Sequence, residues 1–326
     1  MVEKEGIALE VSNLRMHFTS SGSLFRKGKE KIKSVDGVSF SVKKGEIFGL
    51  VGESGCGKTT MGKCILRIYD PTDGHILFDG IDLANLSRKE MQKYRRRIQM
   101  VFQDPYGSLD PRQSLRSILK EAILADGKKH RPEVVKNRIE ELLGYVGLST
   151  ELLERYPHEL SGGQRQRLGI ARALACDPEI IICDEPVSAL DVSIQAQIIN
   201  LFKELQARLG ITFIFIAHDL AVVNYIADTI AVMYLGKIVE VLKAGELIEN
   251  AIHPYSKALI AAIPTTDYYA EKTREIVVLN GEIPSPTDIP TGCAFHTRCV
   301  YATEICSKEC PRLREVNDHL VACHNV

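Results

Sequence analysis

No long apolar run occurs in the 326-residue sequence. The longest, such as Ile211–Ala217 and Ile230–Leu235, fall far short of the ~18–20 residues that cross a bilayer. The opening residues, MVEKEGIALEV, lack the apolar core of a secretory signal. Neither charge is in excess: 41 basic residues stand against 42 acidic ones, a net charge of −1, which argues against bulk electrostatic binding of nucleic acid. These absences lead us to expect a soluble, cytoplasmic protein. The composition, 45% apolar and 25% charged, excludes wholesale disorder, and the length allows two domains or one with an appendage.

Hydrophobic periodicity then divides the chain. Alternation from Ile7 to Phe18 reads as a strand, followed by a polar loop, Thr19–Lys33, whose lysines and arginine read as a solvated insertion or a contact for phosphate or acidic lipid. Val38–Val42 and Glu46–Val51 read as strands, and Lys58–Tyr69 as a helix. Between Asp104 and Leu160 apolar spacings of three and four, in Leu115–Ala125 and Glu133–Val146, predict a helical subdomain inserted into an α/β core. Beyond it, Ile180–Cys183 and Ile211–Ala217 have the unbroken apolar character of strands covered on both faces. Between them Asp191 can cap a helix whose Ile194, Ile198, Phe202, Leu205 and Leu209 share a face. That alternation implies a parallel sheet. We therefore expect a core over residues 1–263, with the helical part at about 104–160, and a small proline- and cysteine-rich domain over 264–326.

Three segments carry chemistry. Gly52-Glu53-Ser54-Gly55-Cys56-Gly57-Lys58-Thr59-Thr60 fits G-x-x-x-x-G-K-[ST] between a strand and a helix. Its backbone amides and the helix N-terminus would wrap a phosphate; Lys58 would reach the β- and γ-phosphates, and Thr59 would ligate Mg²⁺. A glycine-rich turn is the competing reading. The strand Ile180–Cys183 ends in Asp184-Glu185, at the sheet edge where ligands of open α/β sheets bind; Asp184 would hold the Mg²⁺ sphere and Glu185 would act as general base. Leu160-Ser161-Gly162-Gly163-Gln164 precedes a helix through about Ala175, with Ser161 and Gln164 as a capping box; it reads as a plain cap or as a second anion site.

The order Gly52–Thr60, Gln103, Leu160–Gln164, Asp184-Glu185, Ser188–Asp191, His218 resembles the ATPase subunit of an ABC transporter from roughly Leu9 to Val241. Gln99–Arg112, Asp184–Gln197, His218–Val222 and His253-Pro254-Tyr255 are similar to importers of dipeptides and oligopeptides, of the DppF/OppF type. The resemblance implies a P-loop ATPase core with a parallel sheet, an N-terminal antiparallel β subdomain and an inserted helical subdomain. It implies ATP sandwiched between two cassettes, with Ser161, Gly162, Gly163 and Gln164 touching the partner's nucleotide. It also implies that Gln103 ligates Mg²⁺, that His218 contacts the γ-phosphate, that Asp191 communicates across the dimer, and that Phe18 stacks on adenine. For Phe18 a strand-end core aromatic is the other reading, for His218 a helix cap, for Gln103 a loop residue. The implied partners are two transmembrane permease subunits, a D-type ATPase paralogue or a second copy, and indirectly an extracytoplasmic peptide-binding protein, with no nucleic acid. The chain would then sit peripherally on the cytoplasmic face of the membrane. A rival of another class is a soluble ABC-type ATPase acting on nucleic acid or ribosomes; one cassette, no heptad arm and no basic excess count against it.

Nine cysteines complete the inventory. Cys56, Cys64, Cys176 and Cys183 sit among helix and strand residues and read as small fillers. Cys293-x5-Cys299-x6-Cys306-x3-Cys310-x12-Cys323 crowds the end, lacks paired C-x2-C knuckles, and reads as a metal site of open identity. His296, His319 and His324 keep zinc available, and unligated thiols or disulfides are the third option. The family resemblance implies a 4Fe–4S cluster on Cys293, Cys299, Cys306 and Cys323, with Cys310 spare.

Overall fold

Apolar residues of the first strand are buried, but not in strict alternation. In β1, Ile7–Thr19, Ala8, Leu9, Val11 and Leu14 are buried, and the step of three from Val11 to Leu14 falls where the pairing register shifts between Ser12 and Arg15. In a computed structural model of the chain, the structure describes residues 6–19, 31–125, 127–263 and 281–326. Most of the basic loop expected over Thr19–Lys33, and Pro264 at the start of the tail, lie outside the described residues.

The chain divides into two units. One contains Leu9–Ser41, Phe48–Asn85 and Ala217–Val326. Here β1, β2 (Lys31–Lys43), β4 (Asp73–Phe78) and β5 (Ile81–Asp82) form a sheet ordered β2-β1-β4-β5, with β1 and β4 antiparallel and Leu9 opposite Phe78. A second sheet runs β3 (Ile47–Val51), β9 (Thr229–Tyr234), β10 (Lys237–Lys243), β12 (His319–Val321), β11 (Arg314–Val316). Strands β3 and β9 are parallel, whereas β10 lies antiparallel to both β9 and β12. The last residues of the chain thus extend a sheet of the core by hydrogen bonds, with the Ala322 amide donating to Val239 O at 2.8 Å. The helices of this unit are α1 (Lys58–Ile65), α8 (Leu220–Ile226), α9 (Leu247–Asn250), α10 (Pro254–Ala261) and α11 (Glu304–Lys308). Helix α1 stops short of the expected Tyr69. Arg67 turns the chain with φ 52°, its guanidinium held by Leu83 O, Ala84 O and Asp70.

The other unit contains Leu86–Ile216 with Val42–Ile47 and the segment ending at Ala8. Strands β6 (Ile98–Val101), β7 (Ile180–Asp184) and β8 (Thr212–Ile216) are parallel, and every residue of β7 and β8 is buried, as their unbroken apolar runs require. The helices are α2 (Arg88–Arg97), α3 (Pro105–Ser108), α4 (Leu115–Leu124), α5 (Pro132–Val146), α6 (Gly162–Leu174) and α7 (Val192–Leu209). Asp191 caps α7 as expected, its carboxylate accepting from Ile194 N at 3.0 Å. The buried stripe differs in detail. Ile199 and Leu201 join Ile198, Phe202 and Leu205, while Leu209 at the last turn is 36% exposed. No helix among the described residues is long and apolar enough to cross a membrane.

Candidate functional site

Lys58 opens α1 with its side chain only 4% exposed. Its ammonium donates to Gly52 O at 2.7 Å and Glu53 O at 3.0 Å, and lies 3.7 Å from Cys56 Sγ. Burying an ammonium is tolerable only with such partners, so the loop curls around its own lysine. Two glycines make the curl possible. Gly57 has φ 108°, and a Cβ there would stand 2.0 Å from Ser34 O; one at Gly52 would stand 2.1 Å from Met233 O. Ser54 and Gly55 are exposed, Thr59 and Thr60 half-buried, and Thr60 Oγ1 accepts from the Ser34 hydroxyl at 2.9 Å. Burial raises the Cys56 thiol above its ordinary value despite Lys58, which fits a small filler of the loop. Phe18, half-buried at the end of β1, meets Tyr69 edge-on with ring centroids 5.3 Å apart.

The acid pair closes β7. Asp184 is 3% exposed, opposite Ile216 in the parallel register. Glu185 follows with φ 44°, a left-handed conformation that a glutamate adopts only when its surroundings insist. Its amide donates to Ile216 O at 2.9 Å, and its own carbonyl accepts from the Ser188 hydroxyl at 3.1 Å. One carboxylate oxygen, Oε2, accepts from Gln103 Nε2 at 2.9 Å. The structure therefore brings together Gln103 and Glu185, which lie 82 positions apart. His218 is exposed, two residues beyond the end of β8.

Before α6 the capping box is complete. Gln164 N donates to Ser161 Oγ at 3.2 Å, and Ser161 N donates to Gln164 Oε1 at 2.9 Å. Arg165 braces the turn by donating to Leu160 O at 2.7 Å and stacking over Tyr106 at 4.2 Å. A Cβ on Gly163 would come within 2.7 Å of Ile194 Cγ2, so this glycine also lets α6 approach α7. Asp191 is exposed, and its carboxyl is held low by hydrogen bonds from the Ser193 hydroxyl and the Ile194 amide.

The cysteine tail requires a correction. The expected 4Fe–4S cluster has no ligand set: no group of three or more His, Cys, Asp or Glu that could hold a metal occurs among the described residues. Cys293, Cys299, Cys306 and Cys323 are free thiols. Burial, and after it the neighbouring Cys306, Cys323 and Cys299, pushes Cys293 up to about 11. Local partners engage two of the others: Thr303 Oγ1 lies 3.3 Å from Cys306 Sγ, and the Asn325 amide donates to Cys323 Sγ at 3.4 Å. The zinc option fails similarly, because the histidines point elsewhere. His296 Nδ1 meets Cys293 O, His324 Nε2 meets Glu309 O, and His319 lies between Glu240 and Glu246. Cys310 is exposed.

Sequence reasoning passed over Glu53 and Glu240. Glu240 is completely buried and accepts from the Ile252 and His253 amides at 2.7 and 3.2 Å. A glutamate at an x position of the loop, and another inside an apolar strand, carry no local signal of their partners.

A buried ammonium wrapped by carbonyls, beside open amides at a helix start, is the chemistry of a P-loop nucleoside triphosphatase. The comparisons narrow this. The profile described as ABC transporter matches residues 35–188, and that described as Oligopeptide/dipeptide transporter, C-terminal region, matches 239–306. The chain is 52% identical to the oligopeptide transport ATP-binding protein AppF of Bacillus subtilis, covering 97% of this chain and 96% of that protein. It is 49% identical to the putative oligopeptide transport ATP-binding protein YkfD of the same organism, over 97% and 94%. Among solved structures, cbiO1 of Clostridium perfringens, part of the transporter complex cbiONQ, superposes with a TM-score of 0.65 at 30% identity, over 76% of this chain and 92% of that one. The dimeric cassette MJ0796 bound to ADP and Pi gives 0.64 at 31%, over 72% and 98%. The chain belongs to the ATP-binding subunits of ABC transporters, in the oligopeptide/dipeptide family. It is an ATPase that works with ATP and Mg²⁺ and with membrane permease partners, and it dimerises.

Proposed function

We propose that this ATPase energises the import of dipeptides or oligopeptides from the cytoplasmic face of the membrane. Residues 1–263 form the cassette, and 264–326 are appended to it. The observation that carries the catalytic assignment is Glu185, strained at φ 44° and hydrogen-bonded to Gln103 at 2.9 Å beyond a fully buried strand. A carboxylate so held is oriented before substrate arrives, and orientation is most of what phosphoryl transfer asks of a protein.

In this reading Lys58 exchanges its loop carbonyls for phosphate oxygens, and the amides of Gly52, Ser54, Gly55, Cys56, Gly57, Thr59 and Thr60 cradle the polyphosphate. Thr59, Gln103 and Asp184 hold Mg²⁺, which supplies charge neutralisation at the phosphates. Glu185 takes the proton of the attacking water, and His218 orients the γ-phosphate. Ser161, Gly162, Gly163 and Gln164 close on the nucleotide of the opposing cassette, with Asp191 transmitting closure. Phe18 offers its ring to adenine. The opposing cassette is a D-type paralogue, and the cargo is delivered by an extracytoplasmic peptide-binding protein. The match of residues 239–306 to the peptide-transporter C-terminal region supports the cargo assignment.

The test is uptake of a labelled dipeptide or oligopeptide by membrane vesicles carrying this chain with its permease partners. ATP should drive uptake with the wild type and not with Glu185→Gln. Vesicles that hydrolyse ATP but accumulate no peptide would overturn the cargo assignment while leaving the ATPase intact.

A further inference from the structure

Every polar group of Glu53 is engaged. Its amide donates to the Tyr255 hydroxyl at 2.9 Å, and its carbonyl accepts from Lys58 Nζ at 3.0 Å. Both carboxylate oxygens are taken by one guanidinium: Arg298 Nη1 donates to Oε2 at 2.9 Å and Nη2 to Oε1 at 3.1 Å. Arg298 stands 245 positions later, at the end of the short helical turn His296–Arg298 in the cysteine-rich tail. The two side chains are 7% and 22% exposed.

The clamp is itself supported. Arg298 Nη1 also donates to the Tyr234 hydroxyl at 3.4 Å, and Tyr234, Tyr255 and Phe295 pack with ring centroids 4.7 to 5.4 Å apart. Burial pulls the guanidinium pKa down, but the bonds to Glu53 and Tyr234 outweigh it and leave Arg298 more firmly charged than usual. A two-pronged arginine–carboxylate pair fixes direction as well as distance. Because it is largely buried, losing one member leaves the other charge uncompensated. Glu53 lies between Gly52 and Ser54, so whatever moves its side chain moves the amides that meet phosphate.

We propose that Arg298 is a positioning residue for nucleotide: from the tail it holds the phosphate loop through Glu53, so that the state of the tail sets the affinity for ATP. This rests on the reading of Gly52–Thr60 as the nucleotide site. It gives the tail a part in the ATPase cycle that needs no metal. A tail that merely packs against the core would need no fork on a loop glutamate.

The experiment uses the full chain, a fluorescent ATP analogue for equilibrium binding, steady-state phosphate release, and thermal melting. The variants are Arg298→Lys, which keeps the charge but loses the fork, Glu53→Gln, which changes the loop side alone, and the double variant. Each single variant should weaken ATP binding about five- to tenfold, with the loss in KM rather than kcat, and the double variant should be no weaker than the worse single one. Binding within about twofold of wild type in both single variants would overturn the proposal, as would a lowered melting temperature with unchanged affinity, or losses that multiply in the double variant. A wild-type chain that fails to bind the analogue would overturn the nucleotide-site reading itself, and this inference with it.

Discussion

Gln103 Nε2 stands 2.9 Å from Glu185 Oε2, so the candidate base is oriented by a neutral amide. Replacing the acid by its own amide tests this directly. Glu185→Gln should bind ATP as the wild type does, yet release phosphate about 10²- to 10⁴-fold more slowly, the usual worth of a general base. Turnover near wild type would remove Glu185 from that role.

Gly57→Ala should be more harmful than its size implies. The position has φ 108°, and the new Cβ would meet Ser34 O at 2.0 Å, so the loop or β2 must shift. We expect destabilisation of about 1–3 kcal/mol from strain, together with loss of ATP-analogue binding. Thermal melting and equilibrium binding on the same preparation check both parts.

Protonation of a buried histidine should give the protein an acid-side weakness. His253 is 1% exposed, and burial lowers its pKa to about 4. Its Nδ1 accepts from the Tyr255 amide at 3.1 Å, its own amide is held by the Glu240 carboxylate, and Phe295 lies 5.8 Å away. In the unfolded chain the histidine titrates near its ordinary ~6.5, so between there and about 4 the unfolded state binds more protons. Stability should therefore be full above that window and fall by up to about 3 kcal/mol as pH drops through it. His253→Asn keeps a capping acceptor without titrating there, and should flatten this part of the profile measured by denaturant melts.

Thiol labelling should follow exposure and burial. Cys310 is exposed, whereas Cys293 is raised to about 11 and carries little thiolate at neutral pH. Limited alkylation at pH 7.5 should mark Cys310 well before Cys293, read by mass spectrometry of the digested protein. Faster reaction at Cys293 would contradict the burial that raises it.

Glu240→Ala should cost about 3–5 kcal/mol, because it strips the acceptor from the part-buried Ile252 amide and the buried His253 amide and leaves a hole where a completely buried side chain stood. Glu240→Gln, which retains an acceptor oxygen, should recover much of that loss in chemical denaturation.

Much of the fold is written in short windows of sequence. The strand β1, the unbroken apolar strands β7 and β8, the Asp191 cap and the Ser161–Gln164 box depend on residues within a few positions of one another, and all appear in the structure, though the period of two in β1 is broken by the register shift between Ser12 and Arg15. The loop Gly52–Thr60 is equally local: its glycines, lysine and threonines are neighbours, and Lys58 is held by the carbonyls of Gly52 and Glu53 within the same loop. Cysteine spacing misled for the complementary reason. Crowding along the chain does not decide where sulfur atoms point, and here Thr303, Asn325 and burial engage thiols that spacing alone assigned to a metal.

What only the tertiary structure decided are the relationships across long separations. The pairing of Gln103 with Glu185, the addition of β12 to β10, the burial of Glu240 among His253 and His319, and the grip of Arg298 on Glu53 each join residues that no local pattern connects. Their geometry comes from closing the chain on itself. A charged side chain removed from water must find its partner wherever the backbone brings one, at whatever distance along the sequence.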